Sequence, residues 1–238
     1  MRIIISIALL FAFNGIQAQW VDVGLKGGVG SSLFLNQNIF DDQSFNHNIK
    51  MGFTVGGKVG YNIGHHEVTL DIMYQQQGHE FNYSFDSPAG ERITGTRGYN
   101  LSGMDYILMY RYNKETSYVE IGPQYSVYSN RDIYDTGGFK GENTDDLITD
   151  NNFGIALGFG SYMFGTENFG ITTGVRFNYM FTDVFTSEGK NQNLPAIAPY
   201  PSYRETNILT AMFIIEFNYD LAYMTTAKCK GRRKIMFF

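Results

Sequence analysis

A chain of 238 residues, 43% of them hydrophobic and 16% aromatic, is long enough to form one sizeable domain. Its formal net charge of -5 excludes the broad basic surface that a nucleic-acid partner requires. The single cysteine, Cys229, excludes an internal disulfide and lies too late in the chain to serve as a lipoprotein anchor.

The first 18 residues have the order of a secretory signal peptide. Arg2 precedes an apolar run over residues 3–13, and small and polar residues then lead to Ala18. The run is too short for a transmembrane helix, and it lacks the amphipathic period or cap of a buried N-terminal helix. We therefore expect residues 1–18 to be a signal peptide, with cleavage after Ala18 and export of the mature chain.

Beyond Ala18, apolar and polar residues alternate with a period of two, which is typical of β-strands. In "IKMGFTVGGKVGYNI", residues 49–63, Phe53 and Val55 face one way while Thr54 and Lys58 face the other. The segments with the same alternation are "WVDVGLKGGVG", "EVTLDIMYQQQGH", "YNLSGMDYILMYRYN", "SYVEIGPQYSVY", "DNNFGIALGFGSYMF", "NFGITTGVRFNYMFTD" and "TNILTAMFIIEFNY". The poorest is "YNLSGMDYILMYRYN", because Ile107 and Met109 fall on its polar side.

The pattern predicts about eight strands of roughly 11 to 16 residues, longer than usual strands. Their connections alternate in length: the short turns lie at residues 64–66, 114–116 and 165–167, and the long polar segments at 36–48, 84–96, 130–149 and 184–204. This is typical of an outer-membrane barrel with both termini on the periplasmic side. A soluble lipocalin-like barrel could use the same strands with the apolar face inward.

Charged residues on the polar side of the strands favour the membrane barrel. Five cations and six anions lie there, namely Asp22, Lys26, Lys50, Lys58, Glu67, Asp71, Asp105, Arg111, Glu120, Arg176 and Glu216. A nearly balanced set suits a closed interior in which each ion needs a partner. Aromatic residues near strand ends also suit the interface girdles of a membrane barrel: Trp20, Tyr61, Tyr112, Tyr128, Tyr179 and Tyr219. We therefore predict an all-β, eight-stranded antiparallel up-and-down transmembrane β-barrel over residues 19–220.

Several segments resemble the PorT-like outer-membrane β-barrel family, which is widespread in Bacteroidetes. The resemblance rests on "GLKGGVG", "GFTVGGKVGYNI", "EVTLDIMYQQQG", "YVEIGPQYSVY", "FGIALGFG" and "GVRFNYMFTDV", which together cover most of the mature chain. It implies an eight-stranded barrel in the outer membrane and no reaction. One type of member assists secretion of cargo across that membrane.

The chain departs from this family at its end. Family members usually stop at the last strand, whose aromatic end is read by the assembly machinery, whereas residues 221–238 follow here and contain "KCKGRRK". We expect these residues to form a basic periplasmic tail. The assembly signal then lies either in Phe238 or in Phe217 and Tyr219.

The sequence offers only weak candidates for catalytic or metal-binding residues. The histidines are His47 in a predicted loop, His65 and His66 in a turn, and His79, which we expect to be solvated at the rim. No spacing indicates converging metal ligands or a Ser-His-acid set, and the acidic segment "ENTDDLITD" lacks the spacing of a calcium loop, so we expect it to be a solvated loop.

We therefore predict no catalytic, cofactor or metal site. The expected partners are the outer-membrane bilayer and an envelope or secretion-system protein, and the expected role is structural, interactive or secretion-accessory. The alternative is a barrel enzyme or a small-ligand or lipid binder that acts at the outer rim.

Overall fold

Long antiparallel strands make up most of the chain that the computed structural model describes, which is residues 21–86, 90–137, 146–166, 168–195 and 202–221. The strands are β1 (Val21–Leu35), β2 (Phe45–Asn48), β3 (Met51–Ile63), β4 (His66–Asp86), β5 (Arg92–Lys114), β6 (Ser117–Asp135), β7 (Asn151–Gly165), β8 (Phe169–Met180) and β9 (Asn207–Asp220). Two short helices, α1 (Gln37–Phe40) and α2 (Ser187–Asn191), lie in the long connections. The predicted signal peptide lies outside the described residues, as does the predicted tail from residue 222 onward.

Eight of the strands close into a ring. Each long strand pairs antiparallel with its neighbours along the chain, from β1 and β3 through to β8 and β9. The ring closes where β9 pairs with β1, from Asp22 opposite Asp220 to Leu35 opposite Asn207. Closure leaves no unpaired edge among these strands, which is the condition for a sheet to cross a bilayer. The predicted eight-stranded antiparallel up-and-down barrel is confirmed.

The two ends of the barrel differ. We call the end with the tight connections at residues 64–65 and 115–116, where β7 ends at Gly165 and β8 begins at Phe169, the turn end, and the opposite end the loop end. The short strand β2 lies at the loop end, where it pairs with residues 80–83 of β4. Within the described residues, no helix is both long and apolar enough to cross a membrane.

Three strands are longer than predicted at the loop end. β4, β5 and β6 contain 21, 23 and 19 residues, and the β4–β5 ladder continues to Asp86 opposite Arg92. The predicted loops 84–96 and 130–149 were therefore wrong at their boundaries, because they begin or end within strands. Polar residues dominate these extensions, and composition alone does not distinguish a solvated strand from a loop.

The alternation of the strands separates an apolar outside from a polar inside. On β4 the outward side chains of Leu70 and Ile72 are 47% and 42% exposed, whereas inward Thr69 and Asp71 are 1% and 0% exposed. Outward Leu108 on β5 and Val119 on β6 are likewise exposed. A soluble barrel would need the opposite arrangement, so the exposed apolar belt indicates contact with lipid.

Substitution in this belt tests its contact with lipid. Leu70→Arg places a charge in the belt beside Leu108, its neighbour in the ladder, and should lower the free energy of unfolding by about 2 to 4 kcal/mol if the site lies near the bilayer midplane. Urea titration of the protein folded in lipid vesicles measures this loss. Asn82→Arg, at an exposed position in the loop-end extension of β4, is the control and should leave stability nearly unchanged. Equal stability of both variants would contradict the assignment of the belt.

Candidate functional site in the barrel lumen

An ionic network fills the lumen nearer the turn end. Nine buried charged side chains contribute to it: Asp22 and Lys26 of β1, Lys58 of β3, Glu67 and Asp71 of β4, Arg111 of β5, Glu120 of β6, Arg176 of β8 and Glu216 of β9. Their positions follow from the two-residue period, because each lies on the inward side of its strand. All nine are among the eleven charged residues that the sequence places on the polar side.

Two arginines and the carboxylate between them form the centre of the network. Glu120 accepts from Arg111 Nη2 at 2.7 Å through one oxygen and from Arg176 Nη2 at 2.6 Å through the other. Arg111 also donates to both oxygens of Glu216, at 2.9 and 2.7 Å, and its guanidinium lies 4.2 Å from the ring centre of Tyr118. These forked contacts fix the positions of the guanidinium groups, since each arginine is held by carboxylates from two different strands.

Two lysines extend the network around the lumen. Lys26 Nζ lies 2.6 Å from Asp71 and 3.2 Å from Glu216. Lys58 Nζ lies 2.6 Å from Glu67, 2.8 Å from Asp22 and 2.8 Å from Glu216. Each of the four cations thus contacts at least two carboxylates, and the nine side chains form one connected set of four cations and five carboxylates.

Inward glycines make room for these large side chains. A Cβ atom at Gly158 of β7 would lie 2.6 Å from Glu120 Oε1 and 2.7 Å from Glu120 Cγ. A Cβ at Gly60 of β3 would lie 2.8 Å from Glu67 Oε1. Such contacts are too close for non-bonded atoms, so a side chain at either position would displace a glutamate of the network.

The two remaining charged residues predicted for the barrel interior, Lys50 and Asp105, lie outside this network. Lys50 immediately precedes β3 at the loop end, where it hydrogen-bonds to Asn100 and, at 3.2 Å, to the hydroxyl of Tyr134. Asp105 is buried on β5 opposite Ser126, and its Oδ2 has no hydrogen-bond partner among the described residues. The structure therefore does not bring Lys50 or Asp105 into direct ion pairs with the nine.

Neutral side chains continue the filling of the lumen toward the loop end. Met73, Ile107, Met109 and Ala156 are at most 2% exposed, although Ile107 and Met109 reduce the alternation of β5 in the sequence. Further along, Gln77 accepts from Thr210 at 2.9 Å and donates to the hydroxyl of Tyr128 at 3.3 Å. Gln77 thus connects β4 to β9 and β6 across the lumen through hydrogen bonds between neutral groups.

A cluster of apolar side chains covers the loop end. This aromatic plug consists of Phe34, Ile39, Phe45, Phe81, Tyr83, Tyr99, Leu101, Tyr128, Leu147, Ile148, Met180, Val184, Phe185, Leu194 and Ile208. The ring of Tyr99 packs 5.2 Å from Phe34 and 5.7 Å from Phe185, measured between ring centres. Among the described residues, most of the buried apolar side chains therefore lie at one end of the barrel.

The connections that form the plug include part of the acidic segment. Thr186 caps α2 by accepting from Gly189 N at 3.3 Å, and its hydroxyl donates to the Asp146 carbonyl at 2.6 Å. Leu147 and Ile148 are buried, and Ile148 bridges to Phe185. The expectation of a solvated loop was wrong for these residues, because two apolar side chains within the acidic segment pack into the plug. Residues 142–145 lie outside the described residues.

Two further predictions were wrong at the loop end. His79, expected to be solvated, is 0% exposed: Phe34 stacks on it at 5.3 Å, and its Nε2 lies 3.1 Å from His47 Nδ1. It lies beyond the apolar belt of β4, and burial, with a smaller effect of His47, lowers its pKa to about 3. Tyr128, expected in an interface girdle, is buried in the plug. Tyr128 lies eight residues after Glu120 on β6 and therefore on the same side of the strand, so its burial could have been predicted from the alternation.

A ring of eight strands with an apolar exterior and a charged, filled lumen defines an integral β-barrel membrane protein. The chain belongs to the outer membrane protein beta-barrel domain family, whose model matches residues 4–210. Its location is therefore the outer membrane.

Comparison with solved structures gives distant similarities. Neisserial surface protein A is 10% identical, with a TM-score of 0.42 over 85% of this chain and 97% of that one. OprG from Pseudomonas aeruginosa is 9% identical, with a TM-score of 0.35 over 84% and 96%. Ail of Yersinia pestis, in complex with the heparin analogue sucrose octasulfate, is 11% identical, with a TM-score of 0.32 over 84% and 99%. No curated protein matches the sequence significantly.

Removal of one arginine tests the network. Arg176→Ala leaves Glu120 and Asp71 without one of their cations in a buried site, and the free energy of unfolding should fall by about 3 to 5 kcal/mol. Denaturant titration in detergent measures the loss. Arg176→Lys keeps the charge and should lose less, and Arg92→Ala, at an exposed site of β5, is the neutral control. An unchanged midpoint for Arg176→Ala would mean that water solvates this arginine.

Proposed function

We propose that this protein is a plugged outer-membrane barrel that acts through its two ends as a structural, interaction or secretion-accessory protein. The observation that carries the proposal is the filling of the lumen. The ionic network connects the walls nearer the turn end, and the aromatic plug covers the loop end. Within the described residues, the acidic and basic groups of the network are ion-paired with one another, so we propose no enzymatic activity.

The barrel size supports a role without conduction. An eight-stranded barrel has an interior just wide enough for side chains, and here arginine and lysine side chains cross it. Moving Arg111 aside would break its contacts with Glu67, Glu120 and Glu216 together. A spontaneous pore would therefore expose several desolvated charges at once.

The loop end offers the larger surface for a partner. Residues 77–86 of β4, 92–103 of β5 and 128–135 of β6 continue beyond the apolar belt as a paired sheet. Strands that extend past the lipid contribute nothing to crossing the membrane, so we assign this sheet to contact with an envelope or secretion-system protein. The likeness of the sequence to the PorT-like family of Bacteroidetes supports the secretion-accessory version of the proposal.

The proposal includes the division of the chain. Residues 1–18 act as a signal peptide, residues 19–220 form the barrel and residues 221–238 form a basic periplasmic tail. The described strands run from Val21 to Asp220, which agrees with the middle segment, and short turns generally face the periplasm in such barrels. The alternative of an enzyme at the outer rim would need His79 beside a nucleophile or an acid. Among the described residues, the side chain hydrogen-bonded to His79 is that of His47, which gives this alternative little support.

Conductance measurements test the filled lumen. Planar-bilayer recording of the refolded protein at neutral pH should show no stable open steps, because the network and the plug occupy the lumen. A general porin inserted in the same bilayer is the positive control. Stable unitary openings of this protein would contradict the proposal of a plugged barrel.

Site-specific crosslinking in living cells tests the interaction role. A photo-crosslinking residue in place of Asn82, which is exposed on the loop-end sheet, should give a discrete protein adduct. The same residue in place of lipid-facing Leu108 should give none or only lipid adducts. Identical adduct patterns from both sites would argue against a partner at the loop end.

A further inference from the structure

The outward side of the loop-end sheet changes from apolar to polar along its strands. On β4, exposed Tyr74 is the last large apolar residue of the belt, and the outward positions 76, 78, 80, 82 and 84 hold Gln, Gly, Glu, Asn and Ser. On β5, the outward positions 102, 100, 98, 96 and 94 hold Ser, Asn, Gly, Thr and Thr. The side of the sheet that meets lipid in the belt is therefore hydrophilic beyond it.

A chain of hydrogen bonds runs across this hydrophilic side. Glu80 of β4 accepts from Asn48 of β2 at 3.0 Å through Oε1, and from the hydroxyl of Tyr134 of β6 through Oε2. Lys50 donates to the Tyr134 hydroxyl at 3.2 Å and to Asn100 of β5. All of these residues are partly exposed. We call the connected set the polar face: Asn48, Lys50, Glu80, Asn100 and Tyr134.

Two outward glycines let the long side chains of the polar face lie flat on the sheet. A Cβ atom at Gly98 would lie 2.1 Å from Cζ of Tyr134, and a Cβ atom at Gly78 would lie 3.0 Å from Cδ of Lys50. The Tyr134 ring therefore rests on the backbone of β5, and the Lys50 stem rests on that of β4. Lys50 Nζ also lies 4.7 Å from the centre of the Tyr134 ring. The polar face is thus shallow, and its groups are positioned by one another.

The chemistry of the polar face fits sugar hydroxyl groups. The amides of Asn48 and Asn100 can each donate and accept, and hydrogen bonds from Tyr134 and Asn48 lower the pKa of Glu80, which is a carboxylate at neutral pH. A sugar hydroxyl also donates and accepts, so it matches this mixture. A phosphate group only accepts, and it would meet Glu80 and exposed Asp132, which lies opposite Asn100, beside the one cation of the polar face.

The distance of the polar face from the belt indicates which sugars it meets. Asn100 lies opposite Gly78, four residues beyond Tyr74 on β4, and Glu80 lies six residues beyond Tyr74. At about 3.3 Å per residue and a strand tilt of about 40°, these positions lie about 10 and 15 Å beyond the last aromatic residue of the belt. With the loop end outside the cell, this is the layer in which the sugar head groups of outer-leaflet glycolipids lie.

We propose that the polar face binds the sugar head group of a glycolipid in the outer leaflet. The polar face continues the lipid-facing side of the same strands, so a glycolipid whose acyl chains pack on the belt places its sugars against Glu80 and Asn100. The inference rests on the orientation given in the proposed function. It goes beyond that function, because the protein partner is assigned to the sheet from Asn82 toward the strand ends.

Glycolipid binding to the refolded full-length protein in detergent tests this site. The protein carries a dye on its single cysteine, Cys229, and is titrated with a rough lipopolysaccharide, in which a short core oligosaccharide is attached to lipid A. Lipid A without core sugars and phosphatidylglycerol are the controls. The lipopolysaccharide should bind at least about tenfold more tightly than lipid A, because its sugars add hydrogen bonds. The free core oligosaccharide should compete only weakly, since no acyl chains hold it near the polar face.

Variants of the polar face show where the sugar binds. Glu80→Gln and Asn100→Ala should each weaken binding of the lipopolysaccharide about threefold to tenfold, the loss expected for one hydrogen bond, and should leave binding of lipid A unchanged. The matched controls are Glu115→Gln, at an exposed position of the turn end, and Asn151→Ala, at an exposed position of β7. Both should bind the lipopolysaccharide like the wild-type chain. Circular dichroism confirms that each variant is folded.

Three outcomes would overturn the proposal. Lipid A could bind as tightly as the lipopolysaccharide, the control variants could weaken binding as much as Glu80→Gln, or the free oligosaccharide could bind as tightly, which would indicate a soluble saccharide. A photo-crosslinking residue at Asn100 that gives a protein adduct in cells would assign the polar face to a protein instead. Binding in detergent depends neither on the filled lumen nor on a partner at Asn82, so its failure leaves the proposed function standing.

Discussion

Desolvation of charge inside a narrow barrel is the constraint on which the structure depends. A guanidinium or carboxylate in this lumen is stabilised only by its neighbours, so the side chains from different strands must meet with good geometry. Glu120 contacts both Arg111 and Arg176, and Glu216 contacts Lys26, Lys58 and Arg111. Because these contacts join β1, β3, β5, β6, β8 and β9, a slip of one strand by a single residue would turn a charge into the lipid. The network thus specifies the register of the barrel as well as filling it.

The two ends of the lumen are filled by different kinds of side chain. Near the turn end, oppositely charged side chains pair with one another, and glycines such as Gly158 leave the space that these side chains occupy. At the loop end, strand ends and connections that are far apart in sequence bring in apolar side chains: Phe34 of β1 packs on Tyr99 of β5, and Ile148 pairs with Phe185 between strands. The plug needs no charge matching, whereas the turn end keeps a polar cavity beside the network. Apolar side chains therefore cover the loop end, whereas a polar cavity lies at the turn end.

The sequence predicts the barrel well because one physical rule controls most of it. A period of two decides which side chains face lipid, and it places Lys58 and Glu67 inward without any knowledge of their partners. The partners themselves do not follow from it, because the pairing of Arg111 with Glu216 depends on strand tilt and on the width of the lumen. His79 was misjudged for a similar reason, since His47 and Phe34, which cover it, lie on other strands. Lys50 lies one residue before β3 begins, and its partners Asn100 and Tyr134 lie on the loop-end extensions of β5 and β6.

Closure of the ring by β1 and β9 has a consequence for the order in which the protein folds. Asp22 is paired with Asp220, so the first described strand finds its second neighbour only near the end of the described chain. Until β9 is present, one edge of β1 has unpaired backbone groups, and Lys26 lacks Glu216. In hydrocarbon such an edge is costly, so the sheet crosses the bilayer without an exposed edge only when β9 is paired with β1. The pairing of β9 with β1 therefore closes the sheet and brings Glu216 to Lys26 in the same step.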